Sequence, residues 1–259
     1  MSSKIITHGG RKVKIIISPA KKMNADLDSL PPRGLPDYLD RAEALAAYLR
    51  GLTYQQLKKL LACNDQIAQL NFRRYQSMDL RRDLTPAILA YEGIQYQYMA
   101  PGVFTAGQYR YIEAHLRILS GLYGILRPFD GVTPYRLEMC CKLRTDFCAS
   151  LYDYWGERPA AALTRKDGTV LDLASEEYSR AVRPHLDRKI RCVKAVFGQM
   201  IGGRVVEKGV YVKMARGELV RWMSERETED VEEIRRFDRL GYRYEAALSD
   251  DATYVFIKE

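Results

Sequence analysis

Apolar and polar positions alternate along this chain with two different periods, and the switches between them mark its elements. Val13–Ile17 (VKIII) is a short β-branched apolar run, which predicts a buried strand. Ser18-Pro19 follows at once; Ser caps a turn and Pro fits a first helical position, so the strand ends by presenting Ser18 and Lys21. Residues 22–36, with Pro31, Pro32, Gly34 and Pro36, predict a loop. Tyr38, Ala42, Leu45, Leu49 and Leu52 then recur at helical spacing and make one apolar face. Thr53 opens a second helix through Leu61. Asn64 or Asp65 caps a third, with Ile67, Ala68, Leu70 and Phe72 facing inward. Pro86–Tyr91 predicts a short helix, Gly93–Met99 fits helix or strand, and Thr105 caps a helix reaching Leu116.

In the second half, Leu151–Gly156 starts a helix in which Trp155 packs and Asp153 is placed to pair with an arginine. Thr169–Leu173 predicts a strand after a turn at Lys166-Asp167-Gly168, and Ser175 caps a following helix with Glu176 and Glu177 in its first turn. Two strands thus end in Ser-headed turns. If they are neighbours in one sheet, their carboxyl ends form a cleft of the kind in which open sheets bind ligands. Arg191–Phe197 and Arg204–Glu207 read as strands joined at Gly202-Gly203. Gly209–Glu227 reads as a helix with Tyr211, Ala215, Leu219, Trp222 and Met223 on its apolar face and Lys213, Arg216 and Arg221 off it. An acidic helix at Asp230–Phe237 and strands at Tyr242–Tyr244 and Tyr254–Ile257 close the chain. No Gly/Ser/Pro-rich linker divides it. The pattern predicts a single α+β domain, residues 13–259, with a mixed sheet surrounded by helices, and an N-terminal extension, residues 1–12, expected to be poorly ordered.

One stretch departs from either period. Leu119–Met139 (LSGLYGILRPFDGVTPYRLEM) holds Gly121, Gly124 and Gly131 beside Pro128 and Pro134, with Arg127, Asp130, Arg136 and Glu138 between them. Gly permits positive φ and close backbone approach, and Pro fixes φ, so the stretch specifies a rigid irregular backbone with charges at set positions. That suits a binding site; it also suits a structurally demanding connection whose arginines pair local acids. Within it, Leu119–Gly124 fits either a helix-hairpin-helix turn offering backbone N–H groups to phosphate or a buried strand Arg117–Ser120 entering a turn.

Charge sharpens the picture. The formal net charge is +8, and it is concentrated: residues 180–216 hold ten basic residues against Asp187 and Glu207, while the chain beyond Glu218 is net acidic. Concentrated positive charge favours a polyanionic partner, because neutralising phosphates releases counterions. A solvated basic face is the bland alternative. The five cysteines, Cys63, Cys140, Cys141, Cys148 and Cys192, form neither a complete disulfide set nor a zinc spacing, and His8, His115 and His185 are scattered, so no metal and no cofactor is expected. A redox role for Cys140, Cys141 and Cys148 stays open. No apolar run is long enough to span a membrane and the start lacks a signal-peptide core, so a cytoplasmic protein, as a monomer, is expected.

The central stretch also resembles the signature of the YaaA family of bacterial peroxide-stress proteins. Four further segments match in order: IISPAK at Ile16–Lys21, LYDYWG at Leu151–Gly156, LASEEYSRAV at Leu173–Val182 and YVKMARG at Tyr211–Gly217. The resemblance implies a family-specific single-domain fold that binds duplex or branched DNA through a basic cleft and a helix-hairpin-helix-like element, and a role in limiting iron-driven oxidative damage. On that reading Lys21, Arg127, Arg136, Lys213 and Arg216 contact phosphate and Gly121 and Gly124 give backbone contacts. With no recognition helix visible, binding is expected to follow DNA structure rather than sequence. The alternative is an enzyme acting on a nucleotide, nucleobase or nucleic acid with Ser18, Lys21, Tyr135, Glu138, Asp153, Ser175 and Glu177. No recognised catalytic motif supports it: the Ser18-x-x-Lys21 spacing lacks its partner motifs.

Overall fold

Eight strands, paired edge to edge, form the sheet that organises the chain. The computed structural model describes residues 13–163 and 168–259; the expected N-terminal extension, and Lys166 and Asp167 of the predicted turn, lie outside them. In chain order the strands are β1 (Val13–Ile17), β2 (Leu116–Ser120), β3 (Gly124–Leu126), β4 (Gly168–Leu173), β5 (Ile190–Ile201), β6 (Arg204–Val206), β7 (Tyr242–Tyr244) and β8 (Thr253–Lys258). The centre is parallel, in the order β2-β1-β4-β5-β8. Antiparallel partners are added by β3 on β2, β7 on β8 and β6 on β5. Parallel strands covered on both faces read as continuous apolar runs. VKIII of β1 and VLDL of β4 do so, with Val13, Ile15, Ile16, Ile17, Val170, Leu171 and Leu173 fully buried.

The helices lie where their caps predicted. Longer ones are α1 (Leu39–Arg50), α2 (Tyr54–Leu61), α3 (Asp65–Ser77), α4 (Ile94–Met99), α5 (Ala106–His115), α6 (Leu151–Trp155) and α7 (Gly209–Arg226). Thr53 and Thr105 each close a capping box, with Gln56 and Gln108, and Asn64 Oδ1 accepts from the Ile67 amide (3.0 Å). GIQYQYM resolves as helix. The acidic segment near the end forms a 3₁₀ helix, Val231–Arg236, instead of an α-helix. Two faces turn out differently from their apolar pattern. In α3 the buried positions are Ala68, Asn71 and Tyr75, whereas Leu70 is about half exposed. In α7 Tyr211 is exposed and Arg216 is buried, the reverse of the expectation.

Leu119–Gly124 is the turn of the β2–β3 hairpin, so of its two readings the buried strand is the one realised, and no helix-hairpin-helix forms there. Its glycines answer to packing. A Cβ on Gly121 would stand 2.2 Å from the Leu137 carbonyl oxygen, and Gly124, at φ +75°, lies under the Trp155 ring. The Trp155 indole N–H donates to the Gly121 carbonyl (2.9 Å). The hairpin is thereby clamped between α6 and the segment 135–139, and that segment carries one wall of the site described next.

Candidate functional site

The two Ser-headed turns do meet. β1 and β4 are parallel neighbours with Ile17 opposite Leu173. Beyond their carboxyl ends the Ser175 amide donates to Ser18 Oγ (2.8 Å) and the Ser18 hydroxyl donates to Ser175 Oγ (3.2 Å). Ser175 therefore spends its side chain on Ser18 and makes no capping bond to its own turn. A cleft of about 480 Å³ opens above this pair. It gathers Ser18, Lys21, Tyr135, Arg136, Glu138, Ser175, Glu177, Lys213 and Arg216, so nine candidates from four separated segments share one opening.

The floor is a tyrosine network. The Tyr135 hydroxyl bonds to Tyr91 Oη (2.8 Å) and Ser120 Oγ (2.6 Å), and the Tyr96 hydroxyl donates to the Ser18 carbonyl (3.0 Å). Burial holds the Tyr135 phenol well above its ordinary value. The Tyr135 and Ser18 hydroxyls are both hydrogen-bonded to protein partners, and Lys21 pairs with Glu138 (2.8 Å) rather than with Ser18. One wall is the 135–139 segment. Tyr75 donates its hydroxyl to the Arg136 carbonyl (2.9 Å), and the Arg136 guanidinium pairs with Glu138 (3.0 Å). Glu138, 9% exposed, is thus shared by two cations. Beside it Glu177 accepts from the Cys140 amide (3.1 Å).

The opposite wall is α7 crossing α4. The approach is close because Gly217 has no side chain; a Cβ there would stand 2.0 Å from the Gln95 carbonyl oxygen. The crossing sets Arg216 and Gln95 side by side at the cleft. Arg216 is 8% and Gln95 7% exposed, yet Arg216 Nε and Gln95 Nε2 have no hydrogen-bond partner among the described residues. No ion pair reaches Arg216 within the described residues, and burial draws its guanidinium below the ordinary value, with the charges of Glu207 and Asp172 opposing. Lys213, one turn earlier, is exposed at the rim. Gln95 is not among the sequence candidates, since the pattern of Gly93–Met99 fits helix or strand alike. Its signal was there: Gln95 and Met99 stand at i and i+4, both buried, which puts an amide on the packed face of α4.

Four candidates lie elsewhere. Gly121 and Gly124 are buried in the hairpin packing. Arg127 pairs with Asp130 (2.9 Å) and Asp37 (3.1 Å) and donates to the Leu35 carbonyl (3.0 Å), so it locks a loop. Asp153 is exposed and accepts from the Ala149 amide (2.9 Å), with no arginine. The thiols are all free; burial pushes Cys141 up to about 12 and, with Glu177 adding to it, raises Cys140. Among the described residues no group of three or more His, Cys, Asp or Glu could hold a metal ion, and no helix is long and apolar enough to cross a membrane.

A second cleft, about 680 Å³, adjoins the first across Lys21, Arg136 and Glu138, which line both. It adds Lys59, Lys142 and Arg144 and no further acid. The two together make one trough.

Residues 13–248 match the family model for peroxide stress protein YaaA. The chain is 59% identical to a UPF0246 protein of Desulfitobacterium hafniense (strain Y51) over 246 residues, 95% of this chain and 98% of that one. It is 48% identical to a UPF0246 protein of Pediococcus pentosaceus over 246 residues, covering 95% and 98% of the two chains. A UPF0246 protein of Lachnoclostridium phytofermentans is 47% identical over 246 residues, with 95% and 96% covered. By a match that takes in every segment of the trough, the chain belongs to the YaaA family of peroxide stress proteins.

Proposed function

We propose that this protein binds DNA by its structure rather than its sequence and so limits iron-driven damage during peroxide stress, with the two adjoining clefts as the binding trough. One observation carries the reading. Five cations in the inner cleft face three carboxylates, and the outer cleft adds three more cations with no acid beyond the shared Glu138. A surplus of fixed positive charge along a concave path suits a phosphate backbone, and contacts of that kind set affinity and register without naming bases. The enzyme alternative has less support, because Ser18, Tyr135 and Lys21 are each engaged with protein partners.

The test is binding of a blunt duplex and a four-way junction across a salt series. The logarithm of the affinity should fall linearly with log salt, and Lys142→Ala/Arg144→Ala should flatten the slope by roughly 0.9 for each phosphate that is no longer neutralised. A double variant that binds both DNAs with an unchanged slope would rule out the outer cleft as a DNA path. A protein whose affinity ignores salt would rule out the reading altogether.

A further inference from the structure

The inner cleft contains something a simple backbone track does not need. A guanidinium buried without a counter-ion is unfavourable, since taking a charge out of water costs far more than the protein recovers unless a partner is supplied. Among the described residues Arg216 is such a group: no carboxylate lies within ion-pair distance of it, Glu207 and Asp172 acting only from farther off, and Gln95 beside it keeps an unmet amide donor. Both flank the close α4–α7 crossing, where a Cβ on Gly217 would stand 2.0 Å from the Gln95 carbonyl oxygen. The other inner-cleft charges are accounted for. Lys22 pairs with Glu92, and Lys21 and Arg136 share Glu138. Glu177 is held by the Cys140 amide. With three carboxylates against five cations, two positive charges remain over, and the cations without partners among the described residues are Arg216 and Lys213.

That surplus selects among phosphates. An internal phosphodiester carries a single negative charge, whereas a phosphate monoester carries about −1.5 to −2 near neutral pH. The cavity, about 480 Å³, lies within the ~300–1,000 Å³ of ordinary ligand pockets and is far too small for a helix. We infer that the inner cleft is a built site for the phosphate monoester of a nucleotide, bound by Arg216 and Lys213 with Gln95 as a third donor. The inference deepens the DNA reading: the monoester is either a free mononucleotide or the phosphorylated end of a DNA strand.

Calorimetric titration separates these. The probes are deoxyadenosine 5′-monophosphate, inorganic phosphate, deoxyadenosine, and one short duplex with and without 5′-phosphates. The mononucleotide should bind, deoxyadenosine should not, and inorganic phosphate should compete. Arg216→Met and Lys213→Ala should each weaken mononucleotide binding roughly ten- to hundredfold, as removal of a charge-assisted hydrogen bond does. Lys213 is exposed, so its variant tests the site without disturbing the core. A duplex preferred when phosphorylated identifies the strand end as the source; a mononucleotide that binds with no such preference identifies the free nucleotide. The inference is overturned if neither mononucleotide nor inorganic phosphate binds and the two duplexes bind alike. Salt-dependent duplex binding would in that case leave the DNA reading standing. Mononucleotide binding without any duplex binding would retire the DNA reading and keep this one.

Discussion

Gly121→Ala tests whether the hairpin glycines serve packing or phosphate. The added Cβ would lie 2.2 Å from the Leu137 carbonyl oxygen, against the 3.0 Å below which such approaches essentially do not occur, so the two backbones must part by about 0.8 Å. The 135–139 segment has little freedom to yield. Tyr135 is tied to Ser120 (2.6 Å) and Tyr91 (2.8 Å), and the Arg136 carbonyl to Tyr75 (2.9 Å). On the other side the Gly121 carbonyl is held by the Trp155 indole (2.9 Å). Overpacking costs about 1–3 kcal/mol and each strained hydrogen bond about 0.5–1.5, so a loss of about 3 kcal/mol is expected. For a chain of this size that is a fall of about 6–12 °C in the thermal midpoint. Because Arg136 and Glu138 flank Leu137, affinity for DNA should fall as well. Gly102→Ala, where nothing lies within 4 Å of the added carbon, is the matched control and should be neutral. Differential scanning fluorimetry with the salt-series binding assay reads both effects. A variant that melts within a degree of the parent and loses only DNA affinity would mean that Gly121 faces phosphate, and the packing argument would be wrong.

Two further outcomes follow from buried charge. Arg216→Met removes a guanidinium that has no partner, so the free protein should melt higher; such replacements are neutral to about 4 kcal/mol stabilising, and roughly 1–2 kcal/mol here means about 2–8 °C. A lower midpoint would show that Arg216 supports the fold. Burial raises the Asp172 carboxyl above its ordinary 3.8, against hydrogen bonds from Ser179 and the Ala174 amide and the charges of Arg183 and Arg216. A raised value means the folded chain keeps a proton that the unfolded chain has released, so this contribution is fully present below the ordinary value and is lost as pH rises through the raised one. Asp172→Asn should therefore gain on the parent as pH rises from about 4 toward neutrality, measured by urea midpoints. A variant that loses ground over that interval would refute the assignment.

The strands and caps were legible because their signals are local. VKIII and TVLDL admit no other buried element, and Thr53, Asn64 and Thr105 each bond within their own first turn. The juxtaposition of Ser18 and Ser175 was half legible: two similar strand ends could be recognised, but strand order is set by the whole packing. What stayed hidden was everything decided by a distant partner. Arg216 looked like a surface cation because helical periodicity places it off the apolar stripe, and only the approach of α4 at Gly217 buries it. Arg127 looked like a cleft residue because it lies in the same glycine- and proline-rich stretch as Arg136, yet Asp37 and Asp130 hold it elsewhere. Gly121 and Gly217 let backbone approach backbone, one within each wall of the cleft, so each wall is packed tightly in itself. A site that must hold an unpaired guanidinium ready for an anion requires such rigidity. With looser walls, Arg216 could turn out to water or toward Asp172 and Glu207, whose charges already act on it, and the anion would have to compete with them.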